Sequence, residues 1–475
     1  MKKFLAVMMM FLFVGSAFAI ELKANGSYRI RMFNTFNGGG FDYGQPWAFD
    51  DDADDDTFFD QRFRLNLTAD NGDGVRGVVQ FEMGDSMWGD DSEYTRLGSD
   101  GKDVEIRHAY LELDKEVYVK AGVFSLVTPN SIILDDELAG IIVGKDFGNF
   151  AVNLIYSRLY DGGYVDSKDD DKDNDFNLYG VMVPIKADTF NVTPYFLYAD
   201  IEDNSKIVGE DGNMSLVNSL ADAKSGPSGS AFTGRFSGFN LNTCADILSC
   251  SESTGSVLQF GEGEAYWVGV AMDGKALGDI SYNLNAVYGY AEVEDLVSAG
   301  VKDDVELEGY LIDALVSYNY EGYKFDLYGL YSSGYDKGDL KDRELGVLPT
   351  VSPDYQQGAP FFFDGIGLGD YALDPAGYSM AGAAVTFNSI DQLSHTFDVA
   401  YIKSMVDDDI LDVMDFERAY YDEFYQVAFV SDYKISEGTT FSMMLGYLQP
   451  DASSKAKDVE DDAAYAVNFQ LQYDF

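Results

Sequence analysis

The sequence predicts an all-β chain, a transmembrane antiparallel up-and-down β-barrel of about eighteen strands joined by short periplasmic turns and long extracellular loops. Three observations predict it. Apolar and polar residues alternate over stretches of about 9–11 residues. Short connections alternate with long ones along the chain. Tyrosine (33) and phenylalanine (34) are abundant, as aromatic girdles at two membrane interfaces require, while no run approaches the roughly 18 uncharged apolar residues of a membrane helix.

The alternation is clearest at the C-terminus. From Tyr465 the odd positions read Tyr465, Val467, Phe469, Leu471, Tyr473 and Phe475, and the even ones Ala466, Asn468, Gln470, Gln472 and Asp474. One face suits lipid and the other water. Comparable segments fall at 22–33, 58–69, 74–84, 103–113, 116–124, 138–146, 149–158, 175–185, 189–200, 263–273, 279–292, 305–320, 323–333, 376–388, 394–406, 418–434, 438–449 and 462–475, with sixteen strands as the alternative count. Turns are expected at 70–73, 114–115, 147–148, 186–188, 274–278, 321–322, 389–393 and 436–437. Loops are expected at 34–57, 85–102, 125–137, 159–174, 201–262, 293–304, 334–375, 407–417 and 450–461. This order puts both ends of the barrel on the turn side, and the two longest loops, 201–262 and 334–375, are where a constriction would be built.

Residues 1–19 read as a cleaved export signal: Lys2 and Lys3, an apolar stretch from Phe4 to Val14, then Ala17-Phe18-Ala19. Residues 20–475 then form a single barrel domain. The formal charge of −50 excludes a nucleic-acid partner, which needs a basic footprint, and suits a surface that meets divalent cations or is simply well solvated. In an exported chain the only two cysteines, Cys244 and Cys250, favour one disulfide closing a small loop.

Strand facing gives the sharpest constellation. The polar faces of the first three strands carry Arg29 and Arg31, Arg62 and Arg64, and Arg76. Arginine at mid-membrane depth on a lipid face costs on the order of 2–4 kcal/mol, so the five are expected to line one sector of the lumen. They form either a basic ladder acting on solutes or an ordinary wet interior whose charges pair. The fifth connection joins an apolar run, Thr128 to Leu134, to Asp135, Asp136 and Glu137. It is expected either to fold inward and set these acids across an eyelet from the arginines, or to continue as a strand kinked at Pro129. Asp171, Asp173 and Asp175 lie in an acidic loop run that could bridge Ca2+ or Mg2+ loosely but lacks the glycine and distal glutamate of an EF-hand. No other cofactor is expected. His108 and His395 fall in strands without a partner set for catalysis, so no enzyme activity is expected.

The export signal, alternating strands, basic sector, acidic third loop and terminal Tyr473-Asp474-Phe475 together resemble the Gram-negative porin superfamily. Segment 119–123 followed by a capping loop is also similar to alginate-export and related substrate-specific porins. The resemblance implies an outer-membrane channel for small hydrophilic solutes and ions, contact with lipid and lipopolysaccharide, and a homotrimer. It also implies recognition of Phe469, Leu471, Tyr473 and Phe475 by the barrel-assembly machinery. A different class of function, a barrel acting as the sheath of a porin-cytochrome conduit, should lack a constricting loop.

Overall fold

Inside a bilayer no water satisfies backbone N–H and C=O groups, so spanning strands must pair on both edges and close on themselves. The computed structural model describes residues 20–36, 56–89, 97, 104–160, 176–201, 235–236, 239–240, 262–276, 278–298, 301–334, 344–363, 375–408, 421–456 and 461–475. Eighteen barrel strands run through them. They are β1 (Glu21–Phe36), β2 (Asp56–Asp70), β3 (Val75–Met87), β4 (Glu105–Asp114), β5 (Tyr118–Val127), β6 (Asp135–Asp146), β7 (Ala151–Tyr160), β8 (Phe176–Met182, resuming as Ile185–Lys186) and β9 (Phe190–Ile201). Then come β10 (Gly263–Lys275), β11 (Ile280–Ser298), β12 (Val301–Tyr320), β13 (Tyr323–Ser332), β14 (Tyr378–Ile390), β15 (Leu393–Ser404), β16 (Tyr421–Ser436), β17 (Thr439–Ala452) and β18 (Ala464–Asp474).

Each strand pairs antiparallel with the next, and β18 returns to β1 through registers such as Tyr28↔Tyr473 and Arg31↔Gln470. The seam is completed by the terminal residue: Gly26 N–H donates to the Phe475 carbonyl at 2.9 Å and Phe475 N–H to Gly26 at 3.0 Å. Turns are tight. Between β12 and β13 only Glu321 and Gly322 intervene, both with positive φ (48° and 87°), the pair of left-handed residues that matches strand twist in a two-residue hairpin. β8 breaks at Val183-Pro184 because proline has no N–H for the ladder, and Val183 N–H bonds the Pro194 carbonyl instead at 3.0 Å.

Two expectations need correction. Segment 293–304 is not a loop: β11 and β12 stay paired to Ser298↔Val301, past a register shift between Val293 and Leu296. The backbone ladder continues beyond the stretch of regular apolar–polar alternation, which ends near 292. The acidic trio 135–137 also lies in a strand, since β6 begins at Asp135.

Outward side chains form the apolar belt, with Phe325, Leu327 and Tyr331 on β13 all exposed. The inward residues of that strand, Tyr328, Leu330 and Ser332, are buried. The same burial holds for Tyr195 and Leu197 on β9, Trp267 on β10 and Leu311 on β12, because two loops fill that side of the lumen. Loop 128–134 turns inward and buries Ile132, Ile133 and Leu134; segment 344–363 buries Val347, Leu348, Tyr355, Phe361 and Phe362. They join edge to edge: Val351 N–H donates to Ile133 O at 2.9 Å, and Asp135 N–H to Ser352 O at 2.7 Å. Folding inward, with its acids on the adjoining strand, is therefore the arrangement adopted by the run after Val127.

Candidate channel lining

Burying segment 344–363 inside a barrel requires partners for its backbone, and the wall supplies them. Trp267 Nε1–H donates to Pro349 O at 2.7 Å. The Tyr328 hydroxyl accepts from Ala359 N–H at 3.0 Å and is held by the Asp398 carboxylate at 2.7 and 2.8 Å. Gln426 Oε1 accepts from Phe362 N–H at 2.9 Å, while its Nε2 donates to Asp398 at 2.9 Å. Loop 128–134 is closed by Thr128, whose Oγ1 accepts from Ile133 N–H at 3.2 Å and Leu134 N–H at 3.0 Å. Asn130 and Ser131 both take φ of 54°, a left-handed conformation costly for residues with a Cβ and held here by these surrounding bonds.

Opposite this packed half, the wall from β1 to β4 is charged and reached by solvent. All five predicted arginines lie on its lumen side. Arg29 and Arg62 stand directly opposite each other in the β1–β2 register. Arg31 forms a buried bidentate pair with Asp60, its cross-strand neighbour, with Nε 3.0 Å from Oδ1, and covers the Phe33 ring at 4.9 Å. Arg64 pairs with Glu82, which faces it in the β2–β3 register. Arg76 donates to Glu112 at 2.6 Å and lies 3.8 Å from Asp114, and its side chain remains 36% exposed. Charge pairing, the simpler of the two readings of the sector, therefore describes Arg31, Arg64 and Arg76.

The expected eyelet takes a different form. Asp136 accepts from Ser352 Oγ at 3.0 Å, and Asp135 from Ser131 Oγ at 2.7 Å, so these two acids tie the infolded loops to β6. Only Glu137 meets a basic partner, Arg107 on β4 (2.5 Å), with the His108 ring nitrogen 3.4 Å away. The β4–β5 ladder starts at Ala109↔Val123, and beyond it these side chains reach past β5 to β6. Arg107 also lies 3.6 Å from Glu82, extending the charged row. Strict alternation misses Arg107 because the β3–β4 register shifts between Gln80 and Phe81, opposite residues 106–108.

No protein-family model and no curated protein sequence matches this chain. Solved structures do match. Acinetobacter baumannii OccAB3 aligns over 95% of this chain and 99% of its own with a TM-score of 0.51 at 11% identity. Pseudomonas aeruginosa OccK8 (OprE) aligns over 97% and 99% with a TM-score of 0.51 at 10% identity. Pseudomonas aeruginosa OccK11 (OpdR) aligns over 96% of both chains with a TM-score of 0.50 at 11% identity. The chain has the fold of Gram-negative outer-membrane porins.

Within this porin fold the remaining predicted residues fall as follows. Phe469, Leu471, Tyr473 and Phe475 share the outer face; Phe475 stacks on Phe63 at 6.1 Å and on Tyr473 at 5.6 Å, over Gly26, where a Cβ would come 2.9 Å from its ring. His395 also faces outward, beside Phe429 at 5.5 Å, with its two ring nitrogens bonded to Ser431 Oγ (2.8 Å) and Ser389 Oγ (3.0 Å). Both nitrogens are thus occupied, which suits a structural role. Cys244 and Cys250, the acidic run Asp171, Asp173 and Asp175, and the export signal lie outside the described residues.

Proposed function

We propose that this chain is an outer-membrane porin whose channel runs along one side of the barrel, between the charged β1–β4 wall and the two infolded loops. One observation carries the reading. Inward side chains stay partly solvent-accessible on that wall and beside it, as at Arg64, Arg76 and Arg107 and at Glu137 of β6, while inward side chains across the lumen are packed dry. A lining of arginines interleaved with Glu82, Glu112 and Glu137 presents both signs of charge to small hydrophilic solutes and ions. It supports weakly selective diffusion of charged and dipolar solutes. The sheath alternative is disfavoured, because the chain's own loops occupy the space a partner would need.

The same reading proposes processing after Ala19, insertion by the barrel-assembly machinery through Phe469, Leu471, Tyr473 and Phe475, and a homotrimer set in lipid and lipopolysaccharide. It also proposes a disulfide between Cys244 and Cys250, and loose Ca2+ or Mg2+ bridging at Asp171, Asp173 and Asp175. The deciding experiment is single-channel recording in planar bilayers. Stepwise conductance is expected, with R64Q/R76Q shifting the reversal potential towards cation preference and E82Q/E112Q towards anion preference. Conductance steps with no selectivity change in either variant would remove the charged wall from the path, and absence of steps would remove the pore.

A further inference from the structure

A second polar cluster lies on the packed side of the lumen, behind loop 128–134. Asp313 and Asn285 are direct cross-strand partners in the β11–β12 register, and both side chains are more than nine-tenths buried. Tyr195 reaches them from β9. Its ring crosses Gly269, where any side chain would occupy the same space, and its hydroxyl arrives beside Asn285 and within the field of Asp313. Among the described residues Asp313 Oδ1, Asn285 Oδ1 and the Tyr195 hydroxyl have no hydrogen-bond partner, although each atom is sealed from solvent.

The orientations are fixed by neighbours. Asn285 Nδ2 lies 3.1 Å from the Pro129 carbonyl, which can only accept, so the amide oxygen is the atom left without a partner among the described residues. Asp313 Oδ2 is already taken by Asn130 Nδ2 at 2.6 Å and Gln357 Nε2 at 2.7 Å. Both donors are neutral, and no Lys, Arg or His among the described residues forms an ion pair with Asp313. The buried Asp313 carboxyl is thus left with two amide donors on one oxygen and no counter-charge, beside the Asn285 amide and the Tyr195 hydroxyl. Buried charge of this kind is normally paired or coordinates a metal.

We propose that Asp313 Oδ1, Asn285 Oδ1 and the Tyr195 hydroxyl bind one monovalent alkali cation, Na+ or K+. Three hard oxygen ligands exclude the soft and nitrogen-seeking metals. The single carboxylate selects one positive charge over two, and no group of three or more Asp, Glu, His or Cys able to hold a metal occurs among the described residues. The ion joins β9, β11 and β12 at the point where Asp313 also holds Asn130 of the first infolded loop and Gln357 of the second, so it pins both loops to the wall. The site stands apart from the charged wall and does not depend on what the channel conducts.

The test uses the full mature chain, crystallised with thallium(I) acetate replacing sodium and potassium salts. An anomalous peak bonded to Asp313, Asn285 and Tyr195 is expected in the wild type and is lost in D313N. In parallel, the thermal unfolding midpoint in detergent should be higher in potassium acetate than in N-methylglucamine acetate at equal ionic strength. D313N should abolish that difference, and Y195F, which removes one ligand without changing charge, should reduce it and so serves if D313N does not fold. A well-ordered wild-type structure with no anomalous peak there, or with only a water, overturns the proposal; so does a potassium effect undiminished in both variants.

Discussion

Arg31 and Arg76 sit on the same face of the same wall but differ in what surrounds them. The Arg31–Asp60 pair is sealed, with side-chain exposures of 1% and 6%, whereas Arg76 is 36% exposed beside Glu112. Removing one partner of a sealed pair strips the other buried charge of its bidentate partner, so R31Q is expected to destabilise the folded barrel by about 3–5 kcal/mol. R31M/D60L, which removes both charges, should recover most of that loss. R76Q should cost under about 1 kcal/mol, as solvent-screened pairs do. Thermal unfolding followed by the heat-dependent shift in gel mobility measures all three; equal losses in R31Q and R76Q would contradict the burial difference. That arginines occupy the wall was legible in the sequence, from their phase with the polar face. Which carboxylate each would meet was not, because pairing depends on register, and register is set by turns and bulges that alternation does not encode.

At the level of elements, the terminal strand was the most legible, since one of its faces is apolar and the other polar. The strands behind the infolded loops carry large apolar residues on both faces, such as Trp267 beside Val268 on β10 and Leu311 beside Ile312 on β12. That two-sided pattern is the sequence signal of a filled lumen, and an expectation of a wet interior throughout passes over it. The filling hangs on a few bonds. T128A would strand two buried amides, Ile133 and Leu134 N–H, and is expected to loosen loop 128–134 at a cost on the order of 2 kcal/mol. The expected readout is increased open-channel noise together with faster cleavage by protease at 128–134 than in the wild type. A quiet channel with unchanged cleavage would show that the contact with 351–354 suffices without Thr128.

For the whole molecule, the named lining charges nearly balance, while the chain carries a formal charge of −50. In the proposed pore the excess acid therefore acts mainly from outside this row of pairs, over distances set by screening. Cation preference is expected at about 10 mM salt, where the Debye length is roughly 30 Å, and should fade by about 1 M, where it is roughly 3 Å. Reversal potentials across matched salt gradients measure this. A preference that persists unchanged at high salt would place the selective charges in the lining itself.

The seam between β1 and β18 sets a timetable. Asn34 N–H bonds Asn468 Oδ1 across 434 residues of chain. At a synthesis rate of roughly 5–20 residues per second, β1 exists for roughly 20 to 90 seconds before its closing partner does. Throughout that interval its free edge is a template for any passing strand. The chain's exposure to mispairing is longest for β1 and ends only when Phe475 reaches Gly26.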